Sequence, residues 1–232
     1  MHVKITIALM AAAFFWRPAC AVPADTTLPV VVMPAAADTS APLVLLITGD
    51  GGWKDFDPEL SRQFAALKMP VVALNALHYF WYKKTPAQTT AAVQYLLDTY
   101  MARWHRHTFM LAGFSFGADV MPFVANRLPP RLMKDCSGIV LFSPGTSTDF
   151  EIHLSQMLSS HHRWPYDVVK ELEAMKPVRL VCFFGKEEQG FPVQVLKRPG
   201  WQVVYLPGGH HYGDNTRGVA RLVLQKLGLA TP

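Results

Sequence analysis

The chain has 232 residues, half of them hydrophobic, so it can bury one sizeable core. No internal repeat or low-complexity block indicates a second domain. The formal net charge of +5, from 22 basic and 17 acidic residues, is too small an excess for a nucleic-acid-binding protein. Composition therefore predicts one globular domain and excludes a nucleic-acid partner.

Residues 1–21 have the pattern of a secretory signal peptide. Lys4 precedes an apolar run that is too short to span a bilayer, and Ala19 and Ala21 stand as in an A-x-A cleavage site. Cys20 leaves a lipid anchor as the alternative, although Arg17 stands before it where a lipobox has an aliphatic residue. We expect export to the periplasm, with cleavage after Ala21.

Beyond the signal peptide, residues 22–41 are rich in alanine, proline and threonine and are expected to form a loosely structured lead-in with one edge strand at 30–33. The domain at 42–232 alternates strand-like and helix-like segments. Strands are predicted at 43–48, 70–74, 108–113, 138–142, 178–184 and 202–206. Helices are predicted at 58–67, 86–103, 116–126, 167–175 and 217–227. This alternation predicts an α/β fold, a mostly parallel sheet with helices on both faces.

The third predicted strand leads directly into the pentapeptide Gly113-Phe114-Ser115-Phe116-Gly117, and a predicted helix follows. A G-x-S-x-G sequence between a strand and a helix is typical of a nucleophile elbow. That turn lifts the serine oxygen above the sheet, and its glycines allow tight packing. Ser115 is therefore the candidate nucleophile.

The last two predicted strands are each followed by candidate partners of this serine. Glu187 and Glu188 follow one strand, and His210 and His211 lie on a glycine-rich loop after the other. The order of serine, acid and histidine along the chain is that of the α/β-hydrolase fold. It predicts a serine hydrolase that needs no metal and no organic cofactor.

Within each doublet, one residue is chosen as catalytic. His210 comes directly after the glycine turn, and Glu188 stands three residues past Gly185, the usual offset of the acid in this fold. Because adjacent residues on an extended loop point in opposite directions, only one of each pair can reach the site. We assign the base to His210 and the acid to Glu188, and we expect structural duties for His211 and Glu187.

Two further groups of residues are predicted around the nucleophile. The turn after the first core strand and the N–H that follows the serine can form an oxyanion hole, which assigns Gly49, Asp50, Gly51 and Phe116. Candidate substrate contacts are Trp53, Tyr79, Trp81, Asp119 and Glu151. For the aromatic residues near position 80, burial in the core remains the alternative. For Asp119, the alternative is a bond to local backbone donors.

Other histidines and cysteines give weaker signals. The paired histidines at 161–162 and 210–211 lack an H-E-x-x-H or C-x-x-C context, so no metal site is assigned. Cys136 and Cys182 lie in or near successive strands, and an oxidising compartment would permit a disulfide between them. Two buried thiols are the alternative.

At several of these segments the sequence resembles the AcvB/VirJ family of bacterial envelope proteins. The similar segments are residues 48–53, 77–81, 85–86, 113–120, 150–152, 185–188 and 207–211. The length matches the short VirJ-like form. The resemblance implies an α/β-hydrolase acting on the aminoacyl ester of lysyl-phosphatidylglycerol, a phospholipid-type substrate at the membrane surface. It also implies a link to virulence and type IV secretion, with secretion-system components as partners. A non-catalytic accessory protein of such a system and a general esterase or thioesterase are the alternatives.

Overall fold

A computed structural model describes residues 28–35, 40–153, 164–214 and 217–230. The predicted signal peptide and the histidine pair at 161–162 lie outside these residues. The strands are β1 (Val30–Met33), β2 (Leu43–Ile47), β3 (Val71–Leu74), β4 (Phe109–Phe114), β5 (Cys136–Phe142), β6 (Ser147–Thr148), β7 (Tyr166–Asp167), β8 (Leu180–Gly185) and β9 (Trp201–Leu206). The α-helices are α1 (Phe56–Ala66), α2 (Ala76–Tyr79), α3 (Pro86–Arg103), α4 (Phe116–Arg127), α5 (Pro130–Met133), α6 (Val168–Glu173) and α7 (Val219–Leu227). Two 3₁₀ helices, Val193–Leu196 and Tyr212–Asp214, complete the described elements.

Seven strands form one sheet in the order β1-β3-β2-β4-β5-β8-β9. All neighbours in it are parallel except β1, which runs antiparallel to β3 at the edge. The predicted fold class, a mostly parallel sheet with helices, is thereby confirmed. Part of the expected lead-in is therefore an ordered edge strand. Because the parallel strands all run in the same direction, their carboxyl ends lie along one side of the sheet. The segments that follow β2, β4, β5, β8 and β9 therefore lie close together there.

The sheet is covered on both faces, and the sequence of β2 shows why. Leu43, Leu45 and Ile47 belong to one hydrophobic cluster, whereas Val44 and Leu46 belong to the other. Successive side chains of a strand point to opposite faces, so a strand buried on both sides is apolar throughout. Helices α3 and α4 contact β2 on one face, and α1 and α7 contact each other on the opposite face.

Helix α3 begins where the sequence predicts, because its first turn is capped. The Thr85 side chain accepts a hydrogen bond from the Gln88 N–H, and the Gln88 side chain accepts one from the Thr85 N–H. This reciprocal capping box satisfies two backbone donors that helix geometry leaves unpaired, and Pro86 lies at the start of the helix. Among the described residues, no helix is both long and apolar enough to cross a membrane.

Cys136 and Cys182 are both free thiols. Cys182 is paired in register with Leu141, near the opposite end of β5 from Cys136, so the two sulfurs are not placed for a bridge. Burial raises the pKa of the Cys136 thiol to about 12 and raises that of Cys182 as well. The structure therefore has the two buried thiols that were the alternative to a disulfide.

Candidate active site

Ser115 occupies the turn between β4 and α4 in a strained backbone conformation. Its φ of 50° and ψ of −117° lie where non-glycine residues are rarely found. The flanking glycines are required by contact distances. A Cβ on Gly113 would lie 2.4 Å from the carbonyl oxygen of Gly117, and one on Gly117 would lie 2.0 Å from the carbonyl oxygen of Ile47. The pentapeptide thus forms the sharp turn expected of a nucleophile elbow.

Three side chains from three loops form one hydrogen-bonded chain. His210 Nε2 lies 2.8 Å from Ser115 Oγ, and His210 Nδ1 lies 2.7 Å from Glu188 Oε1. Because an ionised carboxylate only accepts hydrogen bonds, Nδ1–H donates to Glu188, and Nε2 is left to accept from the serine hydroxyl. This is the arrangement in which a histidine can remove the serine proton.

The doublet neighbours do not join this chain. His211 is exposed, and its ring centroid lies 5.7 Å from that of Phe114, while Glu187 is also exposed. The structure therefore brings His210 and Glu188, not His211 and Glu187, to Ser115.

The second oxygen of Glu188 is fixed by a shell of donors. Oε2 accepts hydrogen bonds from Ser143 Oγ at 2.7 Å and from the Gly185 N–H at 2.5 Å. Ser143 Oγ lies 2.7 Å from the buried Tyr212 hydroxyl. Because Ser143 donates its proton to the carboxylate, it accepts that of Tyr212. Glu188 is thus held with one oxygen free to orient His210.

Opposing effects act on the pKa of Glu188. Partial burial raises it, but the hydrogen bonds from His210, Ser143 and Gly185, together with the charge of His210, outweigh burial and hold the pKa below its ordinary value. The carboxylate therefore stays ionised at neutral pH. An ionised acid at this position stabilises the imidazolium that forms when His210 takes a proton.

Replacing Glu188 with glutamine is expected to lower kcat for ester hydrolysis by about two to four orders of magnitude, because the charge beside the imidazolium is lost. Glu187→Gln is the matched control and should retain nearly full activity. Steady-state kinetics on a soluble ester measure both. Equal losses in the two variants would contradict the assignment of the acid.

The predicted oxyanion donors separate into two sets. Asp50 and Phe116 line the same pocket as Ser115, and within the described chain no acceptor is found for their N–H groups. The N–H of Gly49 instead donates to Asp57 Oδ2 at 3.3 Å. This corrects the assignment of Gly49, since its donor is already taken by a buried side chain. Gly51 does not line the pocket.

A cavity of about 150 Å³ opens beside Ser115. Its described lining comprises Asp50, Ser115, Phe116, Asp119, Ser147, Thr148, Asp149, Glu151, Ile152, His153 and Trp164. Four of these are carboxylic acids, and His153 is the one basic side chain among them. The described lining therefore has more acidic than basic side chains, a property that favours cationic ligands.

Asp119 and Glu151, both predicted as substrate contacts, lie in this lining. Asp119 Oδ1 also accepts a hydrogen bond from the Gly145 N–H at 2.5 Å, so it bonds to backbone and borders the cavity at once. The pKa of Asp119 is raised to about 8, chiefly by burial and in smaller part by the nearby charge of Asp50, against the lowering effect of the Gly145 bond. Glu151 makes no hydrogen bond or ion pair with another described residue.

The three aromatic candidates lie outside the cavity. Tyr79 is buried in the core, where its ring packs edge-on against Phe80 at 4.8 Å and its hydroxyl donates to the Gln88 carbonyl. The assignment of Tyr79 as a substrate contact is therefore wrong, because its ring is packed in the core and its hydroxyl is already hydrogen-bonded. Trp53 packs against the hydrophobic cluster beneath it, and Trp81 projects to solvent with 49% of its surface exposed.

Asp149, Glu151 and His153 bring three potential metal ligands within 4.8 Å of one another. Asp149 already accepts from the Phe150 N–H at 2.8 Å and forms an ion pair with Lys83 at 3.7 Å. His153 stacks on Trp164 with ring centroids 4.8 Å apart. These contacts hold Asp149 and His153 in place, and both residues, with Glu151, form part of the wall of the cavity.

Several contributors to the site were not predicted from the sequence, among them Ser143, Tyr212 and Asp149. Ser143 directly follows β5 at the edge where the other site residues gather, and this position is the signal that could have found it. Tyr212 directly follows the histidine doublet, but nothing in the sequence indicates that its hydroxyl turns inward.

Solved structures share this architecture at low sequence identity. Est1E from Butyrivibrio proteoclasticus aligns with a TM-score of 0.59 and 13% identity, covering 86% of this chain and 94% of that one. Proline iminopeptidase from Mycobacterium smegmatis gives 0.59 and 10%, covering 86% and 93%. The thioesterase domain from the curacin biosynthetic pathway gives 0.57 and 15%, covering 84% and 94%. The fold is that of the α/β-hydrolases.

The sequence itself assigns the chain to a narrower group. The model of the family described as bacterial virulence protein (VirJ) matches residues 41–230. The chain belongs to this VirJ family, which confirms the resemblance seen in its motifs. No curated protein sequence gives a significant match.

Proposed function

We propose that the protein is an exported serine hydrolase that cleaves the aminoacyl ester of a lysyl-phosphatidylglycerol type of lipid. The observation that carries hydrolysis is the hydrogen-bonded chain from Ser115 through His210 to Glu188. The acidic cavity beside Ser115 supports a cationic acyl group, and the family resemblance supports the lipid. The N-terminal signal pattern supports a periplasmic location.

The chemistry is acyl transfer to water. Ser115 Oγ attacks the ester carbonyl carbon while His210 Nε2 takes the serine proton. The N–H groups of Asp50 and Phe116 stabilise the oxyanion. His210 then protonates the leaving glycerol oxygen of the lipid. A water molecule, deprotonated by His210, then attacks the acyl-enzyme, the bond between the acyl carbon and Ser115 Oγ breaks, and His210 returns the proton to Oγ as the amino acid leaves.

The lining of the cavity favours a lysyl over a neutral acyl group. Asp50, Asp119, Asp149 and Glu151 all border the space that the acyl group would enter. A raised pKa leaves Asp119 largely protonated at neutral pH when the cavity is empty, and an ammonium group would favour its ionised form. Glu151 forms no ion pair with another described residue, so we infer that it can pair with a cation.

Replacing Glu151 with glutamine is therefore expected to lower kcat/KM for lysine ethyl ester by about tenfold, because one charge-assisted hydrogen bond is lost. For ethyl hexanoate, a neutral ester of the same chain length, the variant should stay within about twofold of wild type. Glu173→Gln, at the exposed end of α6, is the matched control and should change neither value.

Two results would decide against the proposal. Equal losses on both esters would remove the acidic cavity as a determinant of substrate and favour a general esterase. Absence of turnover on lysine ethyl ester, on ethyl hexanoate and on lysyl-phosphatidylglycerol would favour the accessory role in a secretion system.

A further inference from the structure

The connection between α2 and α3 presents two large aromatic side chains to solvent. Trp81 is 49% exposed and Tyr82 is 72% exposed, and they are followed by Lys83, whose side chain is 60% exposed, and by Lys84. We call residues 81–84 the aromatic-basic tip. Two adjacent exposed aromatic side chains form a contiguous apolar surface, and exposed apolar surfaces of this kind are typical of interaction sites.

The tip is fixed to the wall of the acidic cavity. The Ile152 N–H donates to the Phe80 carbonyl at 2.9 Å, and the Lys84 N–H donates to the Phe150 carbonyl at 2.8 Å. Lys83 Nζ lies 3.7 Å from Asp149 Oδ2. Since Asp149 and Ile152 line the cavity, the tip stands at its rim.

Packing holds the tip in this position. Phe80, the residue before it, is fully buried and stacks edge-on with Phe116 at 4.9 Å. Lys84 lies over the Tyr79 ring, 5.4 Å from its centroid. Trp81 and Tyr82 are therefore held outward by a buried anchor on one side and the capped start of α3 on the other.

The geometry points to the aromatic-basic tip as the surface by which the protein docks on an anionic lipid bilayer. Trp and Tyr rings favour the headgroup region, where their apolar faces leave water while their polar atoms stay hydrated. Lysines beside them are attracted to anionic headgroups. The tip would thus contact anionic lipid headgroups, whereas the acidic cavity would receive the cationic acyl group of the substrate.

The size of the cavity gives a second reason for such a surface. At about 150 Å³ it can receive a small headgroup but not two acyl chains. If the substrate is the lipid proposed above, on which this step rests, its chains stay in the bilayer during the reaction. The rim of the cavity, where the tip stands, must then reach the headgroup level.

Vesicle co-sedimentation tests the surface with Ser115→Ala protein, so that binding is measured without turnover. We expect binding to vesicles of phosphatidylglycerol and phosphatidylethanolamine, weaker binding to phosphatidylcholine vesicles, and loss of binding as salt is raised. Adding Tyr82→Ser should lower the partition coefficient by about fivefold. Tyr95→Ser, which removes a tyrosine 54% exposed on α3, is the matched control and should leave it unchanged.

Activity separates this inference from the proposed function. In the wild-type background, Tyr82→Ser should keep its rate on a soluble ester and lose rate on ester presented in vesicles. Vesicle binding that depends on Tyr82, without hydrolysis of the aminoacyl lipid, would sink the proposed function and support docking. Equal binding by Tyr82→Ser and its parent would overturn docking. Absence of vesicle binding by the parent would also overturn it and leave the tip for a protein partner.

Discussion

Ser115→Ala is expected to lower kcat for ester hydrolysis by roughly three or more orders of magnitude. Alanine removes the oxygen that we propose forms the acyl-enzyme, whereas the backbone N–H groups of Asp50 and Phe116 remain. The fold should persist, because Ser115 contributes no helix-capping side-chain bond to α4. Circular dichroism and thermal unfolding check that the variant is folded before kinetics are compared.

Covalent labelling gives a second measurement of the same assignment. A fluorophosphonate should modify wild-type protein at Ser115, as mapped by peptide mass spectrometry, and should not modify Ser115→Ala. Ser137→Ala, at the amino end of β5, is the control and should be labelled like wild type. Modification of any other serine in the wild-type protein would remove the basis for the assignment.

The second large effect is expected at His210. Among the residues that the structure describes, His210 is the only base within hydrogen-bonding distance of Ser115 Oγ, so His210→Ala should nearly abolish turnover, again by roughly three or more orders of magnitude. His211→Ala should retain most of its activity, because His211 makes no hydrogen bond to the serine or to Glu188. The two substitutions are at adjacent positions of the same loop. His211→Ala therefore serves as the control for any change in loop structure that His210→Ala causes.

Burst kinetics with an activated ester show whether His210→Ala has lost acylation, deacylation or both. Loss of both the burst and the steady state is expected, since the same nitrogen serves acylation and deacylation. A fully active His210→Ala beside an inactive His211→Ala would reverse the choice within the doublet.

Much of the fold was predictable because parallel strands buried on both faces are apolar throughout. Segments such as 43–48 stand out in the sequence for this reason, and the capped helix at Pro86–Arg103 has the predicted ends. The two-residue strands β6 and β7 and the four-residue α2 and α5 were not predicted. Elements this short have no periodicity, and tertiary contacts decide them.

Within the site, sequence prediction agrees with the structure on which residues lie together where each of them directly follows a strand. Ser115, Glu188 and His210 all follow strands that end at one edge, and the structure brings them together. It failed where a role depends on a side chain from elsewhere. Nothing near Gly49 indicates that Asp57, eight positions along, takes its N–H. For Tyr79 and Trp81, the sequence could not show which side chain is buried. In the structure Tyr79 is buried and Trp81 is exposed.

The contact between Gly117 and Ile47 ties the nucleophile to the segment that carries Asp50. With no side chain between them, the first turn of α4 rests directly on the backbone at the end of β2. Two parts of the site that are far apart in sequence are thereby assembled backbone against backbone. Their spacing is set by backbone contact, so side-chain rotamers do not change the distance between the backbone of the elbow and the backbone of the segment that follows β2.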